Sequence, residues 1–305
     1  MKVGVDLGGS HIGLGIVDDN GKIIEKFERR LLLKDKEENN IKETIEKYII
    51  ENFLNLNNKY LITNVGIAVP GSVYDNIIEK CVNLGLKNYD LAKNLEQYIK
   101  CSIKITNDCK SAAIAESKYG ALKNYKRALF LTLGTGIGGA VIINGKLLDC
   151  GKYSGSEFGH MIIQKDGLSC NCGKKGCFEK YGSIKALKDK LRKELNLDEK
   201  TSGKDIIKII KENNNNEKIN KIIEEYIENL CIGLSNLINI FEPEALGIGG
   251  SFVYYVDILL EKLKKEIIEK NYLFNTRKDF LILPALLGND AGIIGSTINR
   301  EDDNK

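Results

Sequence analysis

The chain has 305 residues, 43% hydrophobic and 29% charged, the balance of a folded protein long enough for two domains rather than of a disordered segment. Its 45 Lys and Arg against 42 Asp and Glu leave a net charge of +3 with both signs interspersed, so no basic stripe for nucleic acid is present. Met1-Lys2 runs straight into "VGVDLGG" and no apolar run approaches the ~18 residues of a membrane span, so a cytoplasmic protein with reduced cysteines and no membrane partner is expected.

The first element, "KVGVDLGGSHIGLGIVDDNGKII" (residues 2–24), reads as a strand, a Gly-rich turn, a second strand, an Asn-Gly-Lys turn and a short third strand. Helical spacing follows in "IKETIEKYIIENF" (41–53), and "NVGIAVPG" is a buried strand stopped by Pro70-Gly71. "SIKITND" is another strand, and "DCKSAAIAESKYG" a helix that begins at Asp108 and closes near Gly120. "ALFLTLGTGIGGAVIINGKLL" (128–148) then repeats the opening pattern, which suggests two similar domains built from the same three-stranded start. A long helix spans Ile219 to Phe241 after a polar Asn213–Asn216 loop, and "EALGIGG" and "FLILP" are short strands, each followed by a helical segment. Strands interleaved with helices predict an α/β protein with two mixed sheets and a cleft between them.

The two glycine turns are Asp6-Leu7-Gly8-Gly9-Ser10 and Leu133-Gly134-Thr135-Gly136. Without Cβ atoms, such turns let backbone N–H groups converge on an anion. Neither is a P-loop, since no Lys-Ser or Lys-Thr closes it and a strand follows each. Either alone would read as a tight hairpin. As a matched pair with the hydroxyls of Ser10 and Thr135 they are expected to hold a triphosphate from both sides, with Asp6 aimed at Mg²⁺. His11, beside the first turn, reads as an incidental neighbour.

His160, one of only 2 histidines, stands ahead of Cys170, Cys172 and Cys177. One imidazole and three thiolates fill a tetrahedral Zn²⁺ shell with no open position, which predicts a structural site. Three local cysteines cannot pair evenly as disulfides. Cys81, Cys101, Cys109, Cys150 and Cys231 are scattered and read as core residues. His160 could give one ring nitrogen to zinc and the other N–H to a substrate hydroxyl. Glu157 and Glu179, each by itself a solvated surface carboxylate, become candidates for gripping vicinal hydroxyls beside that clamp.

"VGVDLGGS", "SEFGHM", "CNCGKKGCFE" and "LGNDAGIIGS" together resemble the ROK family (repressors, open reading frames and kinases), and within it the bacterial glucokinases. The resemblance covers nearly the whole chain. Ser10 stands where the family usually has Thr, and Ala140 where a further Gly is usual. It implies an actin-like, ribonuclease H-like fold of two α/β domains flanking an active-site cleft: 1–110 with a C-terminal helix 288–305, and 111–287 carrying the zinc loop. It implies an ATP-dependent hexose kinase, glucose first, with N-acetylglucosamine, N-acetylmannosamine, fructose and allose as alternatives and a non-catalytic sugar sensor behind them. Family repressors carry a helix-turn-helix ahead of the first glycine turn, for which no room is expected here. Asn107 and Asp108 match the family's sugar-binding pair, with Asp108 as catalytic base. By residue type alone, Asp108 reads first as a helix N-cap. The resemblance further implies sugar contacts from Gly71, Glu157, His160 and Glu179, nucleoside contacts from Gly249 and Gly250, and a homodimer or homotetramer.

Overall fold

A computed structural model describes residues 1–32, 35, 38–148, 156–270, 272–274 and 280–298. Cys150 and residues 299–305 of the expected last helix lie outside them. The chain divides into two compact units: Met1–Tyr125, Ile142–Gly155 and Leu286–Lys305 form the first, Lys126–Val141 and Ser156–Ala285 the second.

The chain opens with β1 (Lys2–Leu7), β2 (His11–Val17) and β3 (Ile23–Arg30), then α1 (Glu38–Asn57) and β4 (Asn64–Val69). A small antiparallel sheet of β5 (Ser72–Tyr74), β6 (Ile77–Cys81) and β7 (Leu86–Tyr89) follows, then α2 (Leu91–Glu96), β8 (Ser102–Asn107) and α3 (Asp108–Tyr119). Next come β9 (Arg127–Leu133), β10 (Ile137–Ile143) and β11 (Lys146–Leu147). Four helices, α4 (Glu179–Gly182), α5 (Ile184–Glu194), α6 (Gly203–Glu212) and α7 (Glu217–Phe241), lead to β12 (Ala245–Gly250), α8 (Val256–Glu269), β13 (Leu281–Pro284) and α9 (Ala291–Ser296).

The predicted duplication is visible in the sheets. The first runs β3-β2-β1-β4-β8 and the second β11-β10-β9-β12-β13. In the first, β4 lies parallel to β1 and β8; in the second, β12 lies parallel to β9 and β13. Both are therefore the same mixed sheet, a three-stranded start extended by two parallel strands.

In α1 the residues Ile41, Ile45, Ile49 and Phe53 recur every four positions and join one buried cluster with Val3, Val5 and Leu7 of β1. Each such side chain contributes about 2 kcal/mol by leaving water. The other face of the sheet receives α9, and there the packing is backbone on backbone. A Cβ on Gly4 would lie 2.0 Å from the Ile293 carbonyl oxygen, one on Gly66 1.8 Å from that of Ser296, and one on Gly295 1.7 Å from that of Ser111 in α3. This contact explains why α3 groups with the first unit, whereas the expected boundary at residue 110 placed nearly all of it in the second domain.

Glu116 of α3 is fully buried. Its Oε1 accepts from the Leu286 and Leu287 amides at 2.9 and 2.7 Å, and its Oε2 from the Ala121 amide at 2.7 Å. A buried carboxylate is tolerated when its lone pairs are met by donors. Here it ties the C-terminal end of α3 to the segment that enters α9.

Gly66→Ala is expected to cost about 2–3 kcal/mol, because α9 must back away from the sheet to admit the methyl group. A lowered urea midpoint checks it; an unchanged midpoint would contradict the close packing.

Candidate functional site

Asp6, the penultimate residue of β1, sets its carboxylate against α9. A Cβ on Gly292 would come within 2.6 Å of its Cγ, so only glycine leaves room for the acid there. Burial pushes the Asp6 carboxyl up from 3.8 to about 6, and the Lys26 ammonium pulls it only partly back. Lys26 is itself held by Asp290 at 2.6 Å and Glu28 at 2.5 Å. The turn Gly8–Ser10 closes with the Gly8 amide donating to the His11 carbonyl at 2.9 Å, and Ser10 is exposed.

Asn107 ends β8 and Asp108 starts α3. The N-cap is Asn107, whose side chain accepts from the Lys110 amide at 3.0 Å. This corrects the expectation that Asp108 caps the helix. Asp108 sits one position further on, in the first turn, and accepts from the Cys109 amide at 2.7 Å. Asn107 also donates through Nδ2 to the Gly71 carbonyl at 3.0 Å. Gly71, at φ +107° with its Cα facing the Lys80 carbonyl, is a position only glycine fills without strain. The first unit thus brings Gly71, Asn107 and Asp108 together.

Two neighbours escaped the sequence reading. Asn83, on the short 3₁₀ turn Val82–Leu84, lies where a Cβ on Gly9 would meet it at 3.3 Å. The buried Cys81 thiol precedes it, pushed up to about 11 chiefly by burial, with the Asp108 charge adding to the shift. No motif marks Asn83, because its approach to the glycine turn depends on the β5–β7 sheet.

The second unit groups the other expected residues. In its glycine turn the Gly134 amide donates to the Gly136 carbonyl at 3.0 Å, the Lys185 amide donates to the Gly134 carbonyl at 3.0 Å, and Thr135 is exposed. The turn Phe158–His160 docks onto β10 through two glycines: a Cβ on Gly139 would meet the Phe158 ring at 2.1 Å, and one on Gly159 the Ile137 carbonyl at 2.4 Å. Glu157 precedes that turn and is exposed. Gly250, at the end of β12, pairs in register with Leu133, next to the glycine turn, and Gly249 packs on the Phe130 ring.

His160, Cys170, Cys172 and Cys177 place one donor atom each within 4.8 Å of one another. Nδ1 of His160 lies 3.7 Å from Cys170 Sγ, which puts Nε2 on the opposite edge of the ring, and Cys172 Sγ lies 3.5 Å from Cys177 Sγ. Four such donors, converging with none left over, fit a closed tetrahedral zinc site. Glu179 touches both neighbours of this cluster. Its Oε1 accepts from Cys170 Sγ at 3.2 Å, and its Oε2 would lie 2.7 Å from a Cβ on Gly136. Cys81, Cys109 and Cys231 are buried and Cys101 half-buried, apart from the cluster.

Comparison with known proteins matches residues 2–300 to the ROK family. The chain belongs to this family. A glucokinase of Thermotoga maritima is 29% identical over 96% of this chain and 95% of its own length. A xylose repressor of Bacillus subtilis is also 29% identical, over 96% of this chain and 75% of its own length. Among solved structures, a ROK family glucokinase from Streptomyces griseus in complex with glucose and AMPPNP superposes with a TM-score of 0.81 at 26% identity, covering 97% of each chain. The fold is therefore the actin-like fold of the ROK sugar kinases, with the same sheet order appearing twice along the chain. Among the described residues no helix is long and apolar enough to cross a membrane.

The raised pKa of Asp6 has a consequence for stability. The folded state holds the proton more tightly than the unfolded chain, so stability falls as pH rises from about 4 through about 6. At pH 7.5 the ionised carboxylate then costs on the order of 2–3 kcal/mol. Asp6→Asn is expected to raise Tm at pH 7.5 and to change it little at pH 4. Equal shifts at both pH values in thermal melts would count against the buried anion.

Proposed function

We propose that the protein is an ATP-dependent sugar kinase acting on a hexose hydroxyl, with glucose as the first candidate substrate. One observation carries the reading: helix capping falls to Asn107, which leaves Asp108 as the first residue of α3, next to the Asn107 side chain that bonds the Gly71 carbonyl. The likeness to glucokinases over nearly the full chain supports it, as does the presence of Asp6, Asp108 and both glycine turns, which a sugar sensor would not need. The N-acetylhexosamines, fructose and allose are the alternative acceptors; a likeness of 25% identity and TM-score 0.83 to a putative N-acetylmannosamine kinase from Listeria monocytogenes keeps the first class open.

In this reading Asp108 accepts the proton of the attacking hydroxyl. The N-terminus of α3 favours its anionic form. A weak base suffices, because in a loose phosphoryl transfer the hydroxyl loses its proton late and positioning dominates. Asn107 and Gly71 hold the sugar against that base, while Glu157, Glu179 and the Nε2 edge of His160 bind other hydroxyls. The turns at Gly8–Ser10 and Gly134–Gly136 receive the phosphates, with Gly249 and Gly250 under the nucleoside. Mg²⁺, once bound near Asp6, would neutralise phosphate charge. Zinc on His160, Cys170, Cys172 and Cys177 would fix the imidazole's tautomer and orientation.

Asp108→Asn is expected to keep sugar affinity within about threefold while turnover drops ~10²–10⁴-fold, as for loss of a general base. Coupled ATP-consumption assays over a panel of hexoses and N-acetylhexosamines give both numbers, and undiminished turnover would remove Asp108 from the mechanism. Elemental analysis should find about one zinc per chain, as a four-ligand closed site requires. Its removal by chelation is expected to raise the sugar KM about tenfold, as loss of an oriented ligand does; an unchanged KM in the zinc-free protein would disprove the role of His160 in sugar binding.

A further inference from the structure

His11 was read from the sequence as incidental, and its position in the fold says otherwise. It is the first residue of β2, and its imidazole lies over Gly8: a Cβ on Gly8 would meet ring atom Cε1 at 2.5 Å and Nδ1 at 2.7 Å. Its Nε2 lies 4.0 Å from Asp6 Oδ2, and the side chain is 44% exposed, so one ring edge is turned toward the end of β1 while the rest meets solvent. The Gly8 amide, meanwhile, donates back to the His11 carbonyl within the hairpin. At Gly8, then, the bare turn offers an anion no backbone N–H; the group covering that spot is an imidazole.

We propose that His11 is a binding residue of the first glycine turn that donates a ring N–H to the polyphosphate tail of a nucleoside triphosphate. The proposal rests on the nucleotide-binding reading given above. It does not depend on the charge of the ring, since an imidazole presents at least one N–H in either protonation state. The charged groups around it are Asp6 on β1 and, from the adjacent β3, Glu28 and its register partner Arg30. Asp6 packs against Gly292 of α9, and the 4.0 Å from its Oδ2 to His11 Nε2 is longer than a hydrogen bond, so Asp6 does not engage the ring's donor and a ligand arriving over the turn can. A ring that merely covers Gly8 would do its work without any N–H, and that difference is testable.

The variants His11→Phe and His11→Ala remove the donor, the first keeping a ring over Gly8; His11→Gln keeps an N–H donor. Calorimetric binding of Mg-AMPPNP to the full chain, with KM for ATP and for the sugar, reads the effect. His11→Phe and His11→Ala are expected to weaken Mg-AMPPNP binding and raise the ATP KM about tenfold, the size of one hydrogen bond to a charged group. The sugar KM should stay unchanged, and His11→Gln should remain within about threefold of the parent. Parent-like Mg-AMPPNP binding in His11→Phe or His11→Ala would overturn the proposal, as would an equal loss in His11→Gln. A parent protein that itself ignores Mg-AMPPNP would instead sink the nucleotide reading, and this inference with it.

Discussion

Backbone meeting backbone is the constraint on which the first unit depends. Where α9 crosses β1 and β4 and meets α3, Gly4, Gly66 and Gly295 let main chains approach to distances that any Cβ would prevent. Three elements are thereby locked to one another: the strand that carries Asp6, the strand next to β8, and the helix that begins with Asp108. Glu116 adds a second tie from inside α3, its carboxylate saturated by three main-chain amides at either end of the same helix contact. Positioning at the proposed site is thus inherited from the core, where close packing resists displacement.

The second unit solves the same problem with side chains pressed into glycine sockets. Phe158 fills the space over Gly139, Gly159 rests on the Ile137 carbonyl, and Glu179 stands over Gly136. The strand that leaves the glycine turn therefore also carries the turn with Glu157 and His160. Glu179 stands next to Cys170 as well, so one carboxylate spans the interval between the His160 and cysteine cluster and the glycine turn. A shift in any of these groups would be felt by the others.

Much of this was legible in the sequence, for identifiable reasons. The repeated strand–turn–strand pattern foretold two sheets of one topology, because alternation and Asn-Gly turns act locally. The convergence of His160 with Cys170, Cys172 and Cys177 was legible because histidine is scarce here and three close cysteines leave few alternatives. The β5–β7 sheet was not read: its strands are three to five residues long and its turn uses Asp75 and Asn76 at positive φ, a weak period-2 signal. Asn83 was missed for the same reason. The choice between Asn107 and Asp108 as cap could not be read either, since both are good caps and adjacent. The register decides it: Asn107 still pairs with Val69 in β8, so its backbone is extended, as an N-cap requires, and Asp108 is already helical. His11 depended on where a ring falls across a hairpin, which no spacing encodes.

The two cation sites suggested by these residues differ in kind, and the difference follows from their surroundings. His160 and the three cysteines form a complete ligand set, with no open position for exchange, and such a site serves structure. Asp6 is the reverse case. It is one carboxylate, buried enough that its proton is held to about pH 6, and the Lys26 ammonium that draws it partly back is already engaged by Asp290 and Glu28. An acid left in that state destabilises the fold at neutral pH, and a fold retains such a group where something positive arrives to use it. In the proposed reading, a divalent ion accompanying a nucleotide would meet that description, since its charge would offset that of the buried carboxylate while it is bound.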